Sequence, residues 1–387
     1  MQSDKKIRVF FVITKLELGG AQKQLLALIR GLDRDRFIPF LYTAKSGMLI
    51  EQALKISGLK LQRSCFLKRP ICLVKDFFAL VDLYISIKRN RVDIVHTHSS
   101  KAGILGRLAA RFAGVKVIMH TVHGWSFNDC QSLIKRKLFL WLEKIVASFT
   151  DALIVVSDYD KKKGLDNHIG KKYQYQLIRY GIDYLEFDRA KGQNLKKELR
   201  IDPNNLLVGM IACFKPQKSP QDFVRLAYLV NQIIPNVKFL LVGDGILRRD
   251  IEKLIDKFKL QNNVILTGWR RDIPRILSAI DVFVLTSLWE GLPVSVLEAM
   301  VASKPVVATR TGGIAEIVFE GKTGFLVEPG NTKDMAEKLR ILLKDGAMRD
   351  QMGRNARDSL DSDFNLENMV SNTQDLYGNL IKTKCTS

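Results

Sequence analysis

A regular alternation of short apolar runs with longer helix-period segments constrains this chain more than any other feature of its sequence. The strand-like runs of the first half are Ile7–Ile13, Phe37–Thr43, Leu59–Cys65, Val92–Thr97, Val115–Thr121, Ala152–Val156 and Gln174–Arg179. Helical spacing lies between most of them, including Val74–Lys88, Lys101–Ala113 and Leu133–Phe149. Strands alternating with helices in this way make βαβ units and a buried parallel sheet. The pattern then restarts with Leu207–Cys213, Val237–Val242, Val264–Leu266, Val282–Leu285, Pro305–Ala308 and Gly324–Val327. Between the two series, residues 189–205 are polar, hold no β-rich run and close on Asp202-Pro203-Asn204-Asn205, which reads as a linker. The tail repeats an apolar spacing at Leu366, Met369, Val370, Leu376 and Leu380 with no strand after it. The fold class expected is therefore α/β, with two tandem doubly wound, Rossmann-like domains. Their boundaries are 1–188 for an N-terminal domain and 206–363 for a C-terminal one, followed by a helix over 364–387 free to pack back on the first domain. A chain of 387 residues is long for one core and comfortable for two.

Hydrophobic residues at 47% and charged ones at 26% exclude a disordered, collagenous or coiled-coil chain. No run comes near the ~18 uninterrupted apolar residues of a membrane-spanning helix. The opening residues lead directly into the first strand run, so no secretory signal is expected. Cys65, Cys72, Cys130, Cys213 and Cys385 are odd in number, widely spaced and free of any C-x-x-C pair. A disulfide framework or zinc knuckle is therefore not expected, and the cytosol is the natural compartment.

Charge separates the two halves. Residues 1–200 carry 37 Lys+Arg against 18 Asp+Glu, a net of +19, and residues 201–387 carry 24 against 22, a net of +2, which together give the +21 of the whole chain. Such an excess suits nucleic acid, an anionic membrane surface or anionic small substrates. Nucleic-acid binding would interleave aromatic residues with the basic runs. Lys161–Lys163 and Lys171–Lys172 have little beyond Tyr159 and Tyr173, so no nucleic-acid partner is expected.

Candidate chemistry clusters at strand ends of the second half. Ser287–Met300 follows the run Val282–Leu285, with Glu290 in the turn and Glu298 one to two turns into a helix. An acid near a helix start in a doubly wound fold accepts hydrogen bonds from ribose hydroxyls, and helix-start N–H groups suit anionic oxygens. A helix cap and a solvated helical charge are the alternative uses of the same two residues. Gly243 and Gly245 close another strand and permit backbone approach to a phosphate or sugar, or serve an ordinary βα turn. Lys215 and Lys218, after the strand before it, are point charges suited to a diphosphate or lysines of a plain surface loop. Their joint occurrence at successive strand ends favours a nucleotide site.

These residues carry a resemblance. Ala212–Ser219, Val242–Gly245, Thr267-Gly268-Trp269, Thr286–Ala302, Thr311–Glu316 and Gly321–Val327 make the second half similar to the nucleotide-sugar domain of retaining glycosyltransferases of family 4. That family has a two-Rossmann "B" fold with a deep interdomain cleft, and the E-x7-E spacing of Glu290 and Glu298 is its most specific mark here. The first half agrees more loosely, through Gly19-Gly20, Val95–Ser99 and His120–Gly124. The resemblance implies a retaining, metal-independent hexosyltransferase that takes a sugar from a UDP- or GDP-linked donor and needs no cofactor. A nucleotide-sugar epimerase of the same fold is the alternative enzyme. By the same resemblance Glu298 would bind the ribose, Glu290 the donor sugar, Lys218 the diphosphate, and Trp269 and Arg270 the base. Gly19 and Gly20 would face the phosphates from the N-terminal, acceptor-side domain, and His123 the sugar. Lys215, Gly243, Gly245, Gly291, Leu292 and Val294 complete the implied donor contacts, and His123, Glu290 and Lys218 the catalytic set. Two positions depart from the family pattern: Cys213 stands where an Arg is usual, and Pro293, without an N–H, where a Gly is common.

His96, His98, His120 and His123 are four of the five histidines and fall near strand ends, but no Cys, Asp or Glu joins them at ligand spacing, so no metal site is expected. No strand ends in a D-x-D motif either. Front-face transfer, with the departing phosphate oxygen accepting the acceptor's proton, is what the resemblance implies. The implied acceptor is a lipid-linked or cell-surface glycan intermediate in polysaccharide biosynthesis of the cell envelope. Residues 1–150 hold 26 Lys+Arg against 10 Asp+Glu, a net of +16, which suits docking on an anionic membrane surface. Within them Ile134, Leu138, Trp141, Leu142, Ile145 and Phe149 share a helical face, with Arg136, Lys137 and Lys144 opposite. That face suits either a lipid leaflet or the sheet beneath it. The expected location is cytoplasmic and peripheral, on the inner face of the cell membrane.

Overall fold

The computed structural model describes residues 6–127, 131–190 and 194–386. The first five residues, Cys130, residues 191–193 of the expected linker and the side chain of Cys385 lie outside the described residues. The chain divides into two compact units, Met1–Gly181 with Leu366–Ser387, and Ile182–Asn365. Cys65, Cys72 and Cys213 are free thiols.

The first unit is built on seven strands: β1 (Ile7–Ile13), β2 (Phe37–Ala44), β3 (Lys60–Ser64), β4 (Ile94–His98), β5 (Val117–Val122), β6 (Ala152–Val155) and β7 (Tyr175–Leu177). They pair in the order β3-β2-β1-β4-β5-β6-β7, every pair parallel. Side chains of β1 alternate between two cores, as the period of a strand requires. Val9, Phe11 and Ile13 pack with helices Gly20–Gly31 and Leu366–Thr386, whereas Phe10 and Val12 pack beneath helices Leu73–Asn90 and Ser100–Ala113. The last of these lies close on the sheet because its inner face is small: a Cβ on Gly106 would stand 2.7 Å from Thr97 Cγ2. The C-terminal helix is fastened by Tyr377, fully buried, whose hydroxyl lies 2.6 Å from His96 Nδ1 on β4.

The second unit carries β8 (Leu207–Ile211), β9 (Lys238–Val242), β10 (Val264–Gly268), β11 (Val282–Leu285), β12 (Val306–Thr309) and β13 (Gly324–Val327) in the order β10-β9-β8-β11-β12-β13, again all parallel. Residues 189–205 differ from the expected linker: the division falls at Gly181/Ile182 and the described part of this segment folds with the second unit. Helix Leu195–Glu198 lies there, just after helix Tyr184–Asp188, with Leu195 and Ile201 buried. Glu198 is 2.6 Å from Arg270 and 2.8 Å from Arg275, and Asp188 is 2.7 Å from Arg357. The anchoring apolar residues stand singly, so no period betrays them, and the rest of the attachment is ionic.

Among the described residues no helix is long and apolar enough to cross a membrane. One buried ion pair joins two helices of the first unit: Arg107, fully buried, meets Glu143, 2% exposed, at 2.7 Å. Arg107 Nε also donates to the Gly103 carbonyl at 2.8 Å. Removing one partner of a buried pair strands the other charge, while replacing both by apolar groups is often nearly neutral. Arg107→Met should therefore cost about 3–5 kcal/mol in urea unfolding of the first unit, and Arg107→Met with Glu143→Met markedly less. Equal losses in the single and double variants would mean that the pair is not what holds these helices.

Candidate active site

The second sheet reverses its direction of growth at β8. The chain lays β9 and β10 on one side of β8 and then returns to place β11 on the other. Loops leaving the carboxyl ends of β8 and β11 therefore part in opposite directions, and doubly wound sheets bind ligands in the crevice so formed. Residues 212–219 come from one side and residues 286–293 from the other.

Polar contacts sew the two loops together. Lys218 Nζ forms an ion pair with Glu290 Oε1, and the two side chains are only 15% and 6% exposed. Ser287 Oγ donates to the same carboxylate oxygen at 2.6 Å. Gln217 Nε2 donates to the Trp289 carbonyl at 2.8 Å and lies 3.4 Å from Glu290 Oε2. The Leu288 N–H donates to the Gln217 carbonyl at 2.8 Å, and the Thr286 hydroxyl lies 3.0 and 2.9 Å from the carbonyls of Lys218 and Ser219. A third loop closes on the same point, where the Gly313 N–H donates to the Gly291 carbonyl at 2.6 Å. Gly312, at φ +58°, permits this approach, since a Cβ there would stand 2.2 Å from the Glu290 carbonyl oxygen.

The remaining expected residues are placed as follows. Glu298 sits in helix Val294–Val301, 9% exposed. Pro293 caps that helix, its carbonyl accepting from the Val296 N–H at 3.1 Å. Leu292 and Val294 bury their side chains. Lys215 and Cys213 lie in the β8 loop, where the Lys215 N–H donates to the Cys213 carbonyl at 2.8 Å. Gly243 and Gly245 meet that loop's backbone: a Cβ would stand 1.9 Å from the Ala212 oxygen in one case and 2.5 Å from the Phe214 oxygen in the other. Their lack of side chains thus serves packing between the β8 and β9 turns. Trp269 and Arg270 follow β10, at the sheet's edge. The Arg270 guanidinium grips Asp272 at 2.8 and 2.6 Å and Glu198 at 2.6 Å, and these carboxylates push its pKa further above its already high range.

Gly19, Gly20 and His123 belong to the first unit. Gly19 precedes helix Gly20–Gly31 and accepts from the Lys23 N–H at 3.0 Å. A polar cavity of about 180 Å³ lies at the carboxyl ends of β4 and β5, lined by Ala21, Ser99, His120, His123, Trp125 and Glu143 among others. His123 is held by both ring nitrogens, Nδ1 2.7 Å from the Tyr180 hydroxyl and Nε2 2.9 Å from His98 Nδ1. Next to it His96 Nε2 lies 2.7 Å from Thr121 Oγ1, and His120 Nδ1 lies 2.9 Å from Thr97 Oγ1. A donor sugar touching His123 through a ring nitrogen would have to replace one of those bonds. Burial holds His96 and His123 down to about 3, and burial first, then the competing neighbouring histidines and, at His120, the Arg107 guanidinium, holds His98 and His120 well below the usual histidine range. All four rings are neutral at pH 7. Among the described residues no three His, Cys, Asp or Glu side chains converge as metal ligands.

Sequence reasoning missed Ser287, Gln217 and Tyr180, and weighed His98 only as a metal ligand, not as the partner of His123. Ser287 carried a usable signal, since it stands three residues before Glu290 in a tight turn. Gln217 and Tyr180 carried none, because each reaches its partner across a strand reversal or a span of many residues.

The description "Glycosyl transferases group 1" matches residues 192–359, and "Glycosyltransferase Family 4" matches residues 18–183. The chain is 34% identical, over 98% of both sequences, to the UDP-Gal:alpha-D-GlcNAc-diphosphoundecaprenol alpha-1,3-galactosyltransferase of Escherichia coli. It is 25% identical, over 82% of its length and 84% of the relative's, to the capsular polysaccharide biosynthesis glycosyltransferase CapM of Staphylococcus aureus. Among solved structures, the Anabaena protein Alr3699/HepE in complex with UDP-glucose superposes with a TM-score of 0.84 at 20% identity, covering 96% of this chain and all of that one.

The neutral histidines set an acid limit. The folded pKa values of His96 and His123, about 3, lie below the ordinary 6.5, so the unfolded chain binds protons there first as pH falls. Their contribution is intact above about pH 6.5 and is lost progressively from there down to about 3. Each histidine should cost about 1.4 kcal/mol per pH unit within that window. Urea midpoints of the first unit at pH 7.5, 6 and 5 should fall steeply, and less steeply in His96→Gln. A flat profile would show that the rings take up protons without unfolding.

Proposed function

We propose that this chain, which belongs to the glycosyltransferases of group 1 and family 4, binds a nucleotide-diphosphate sugar where its β8 and β11 loops meet and transfers the sugar with retained anomeric configuration to a lipid-linked glycan intermediate. The observation that carries the site is the joining of Lys218 to Glu290 at the reversal of the second sheet. Lysine charge there is suited to the diphosphate, and helix-start N–H groups at Val294 and Ser295 add partial positive charge. Glu298, in the helix that starts there, takes the ribose hydroxyls, and the end of β10 with Trp269 and Arg270 takes the base. The printed name of the E. coli relative supports a UDP-hexose donor and an acceptor on a polyprenyl diphosphate. A soluble donor and a lipid-borne acceptor meet at a bilayer, which supports a peripheral place on the inner face of the cell membrane.

The chemistry follows from these assignments. The bond between the anomeric carbon and the phosphate oxygen breaks, and its electron pair leaves with the nucleotide diphosphate. The acceptor hydroxyl attacks from the same face, and its proton passes to the departing phosphate oxygen. Lys218 and Lys215 stabilise the charge that develops on the diphosphate, doing there what a divalent cation does in other transferases. Glu290, with Lys218 and Ser287 on one oxygen and Gln217 near the other, is held in place as a fixed negative charge beside the cationic sugar carbon. A carboxylate so occupied suits electrostatic support more than nucleophilic attack.

Two measurements test the site. Glu298→Ala should weaken nucleotide-diphosphate affinity by about tenfold or more in calorimetry, since hydrogen bonds to a charged group are worth about 1.5–3 kcal/mol. Glu290→Gln should leave that affinity near the wild type and lower kcat by about 10²–10³. Unchanged affinity in the first and unchanged turnover in the second would remove both assignments. Excess EDTA should leave transfer largely intact, measured as release of nucleotide diphosphate in the presence of acceptor. Full loss with EDTA, restored by Mg²⁺ or Mn²⁺, would put a divalent cation on the diphosphate in place of lysine charge alone.

A further inference from the structure

Helices that cover a sheet bury one face and give a polar one to water. Helix Leu73–Asn90 departs from this. Its inner face, Ala79, Leu83 and Ile87, is buried in the core with Phe10 and Val12. Its outer face carries Leu73, Val74, Phe77, Val81 and Ile85, exposed by 83%, 66%, 61%, 38% and 55%. Phe78, on the same helix, stacks on Phe66 with centroids 5.5 Å apart and meets Phe77 edge-on at 5.8 Å. Helix Leu133–Ala147 repeats the pattern. It packs through Glu143, Val146 and Ala147, and leaves Ile134, Leu138, Trp141 and Ile145 outside. Most of the stripe that could have served the sheet is thus turned away from it, with Phe149 packed on the core. Both helices flank helix Ser100–Ala113, so the two stripes belong to one side of the first unit.

Charge chooses among occupants for this face. The two helices contain three carboxylates, and each is already engaged. Asp76 pairs with Lys101, Asp82 accepts from the hydroxyls of Tyr42 and Ser64, and Glu143 pairs with Arg107. Lys68, Arg69, Lys75, Lys135 and Lys137 remain exposed around the apolar stripes. Two copies of such a face would repel one another, whereas an anionic leaflet offers acyl chains to the stripes and phosphates to the rim. We propose that this two-helix face docks on an anionic phospholipid leaflet, with Phe77, Phe78 and Trp141 entering the acyl boundary and the lysines at headgroup level. The inference extends the lipid-borne acceptor of the proposed function by naming the surface that meets the bilayer, and its test involves no sugar transfer.

The full chain would be sedimented with vesicles of phosphatidylcholine alone or with about one-third phosphatidylglycerol, as it stands and as Phe77→Asp with Phe78→Asp. Trp141 would be read separately, by quenching from brominated acyl chains in wild type against Trp141→Phe. Binding should require the anionic lipid, and the double variant should lower partition by about a hundredfold, because two phenylalanine side chains lose their burial. Quenching should fall when Trp141 is replaced. Nucleotide affinity of the double variant should match the wild type, which shows that its fold is intact and keeps this test separate from that of the donor site. Vesicle binding that survives both aspartates, absence of binding by the wild type, or a vesicle-free dimer that the aspartates dissolve would each overturn the proposal.

Discussion

Parallel pairing is the constraint on which everything else here depends. A parallel strand cannot be reached by a hairpin, so every connection in both units must cross the sheet's face, usually as a helix. Parallel strands throughout both sheets thus impose a covering of helices and place the strand-to-helix turns at one edge of each sheet. When such a sheet grows first to one side and then to the other, two of those turns part and leave a crevice. The second sheet opens this crevice between β8 and β11, where Lys218 and Glu290 meet. Neither residue needs to be near the other in sequence, since the order of strands brings them together.

The two units solve their electrostatics differently. In the second, charge is met with charge: Lys218 with Glu290, and Arg270 with Asp272 and Glu198. In the first, titratable groups at the strand ends are kept neutral. His96, His98, His120 and His123 are stacked or bonded in a row with Tyr180 and Tyr377, and burial removes their affinity for protons. Exposed basic residues stand on its outer helices, Lys75 on Leu73–Asn90 and Lys135 and Lys137 on Leu133–Ala147.

Those outer helices break the economy that governs most of the fold. Apolar side chains on Leu73–Asn90 and Leu133–Ala147 exceed what the sheet can bury, and the excess faces outward with basic residues around it. For a domain that needed only to fold, polar residues would serve those positions better. The apolar stripe of the second of these helices had two uses open from sequence, the sheet or a leaflet. Its packing divides the stripe: Phe149 turns to the core, while Ile134, Leu138, Trp141 and Ile145 face outward as Glu143 points inward to Arg107.

Local patterning was enough for the two parallel sheets, since runs such as Ile7–Ile13, Val282–Leu285 and Gly324–Val327 match β1, β11 and β13 residue for residue. Period and β-branched content are local properties, so a local reading finds them. It also marked Glu290 and Lys218, because each stands at a strand end that the alternation identifies. Long-range packing was needed to show that these two side chains share one ion pair, that Ser287 and Gln217 hold the carboxylate, and that His123 is bonded on both nitrogens. Tertiary structure alone likewise moved the domain boundary to Gly181/Ile182, through Leu195, Ile201 and the ion pairs of Glu198. The reason is the same in each case: these contacts join residues distant in the chain, and their geometry is set by the order in which strands lie side by side, which no window along the sequence contains.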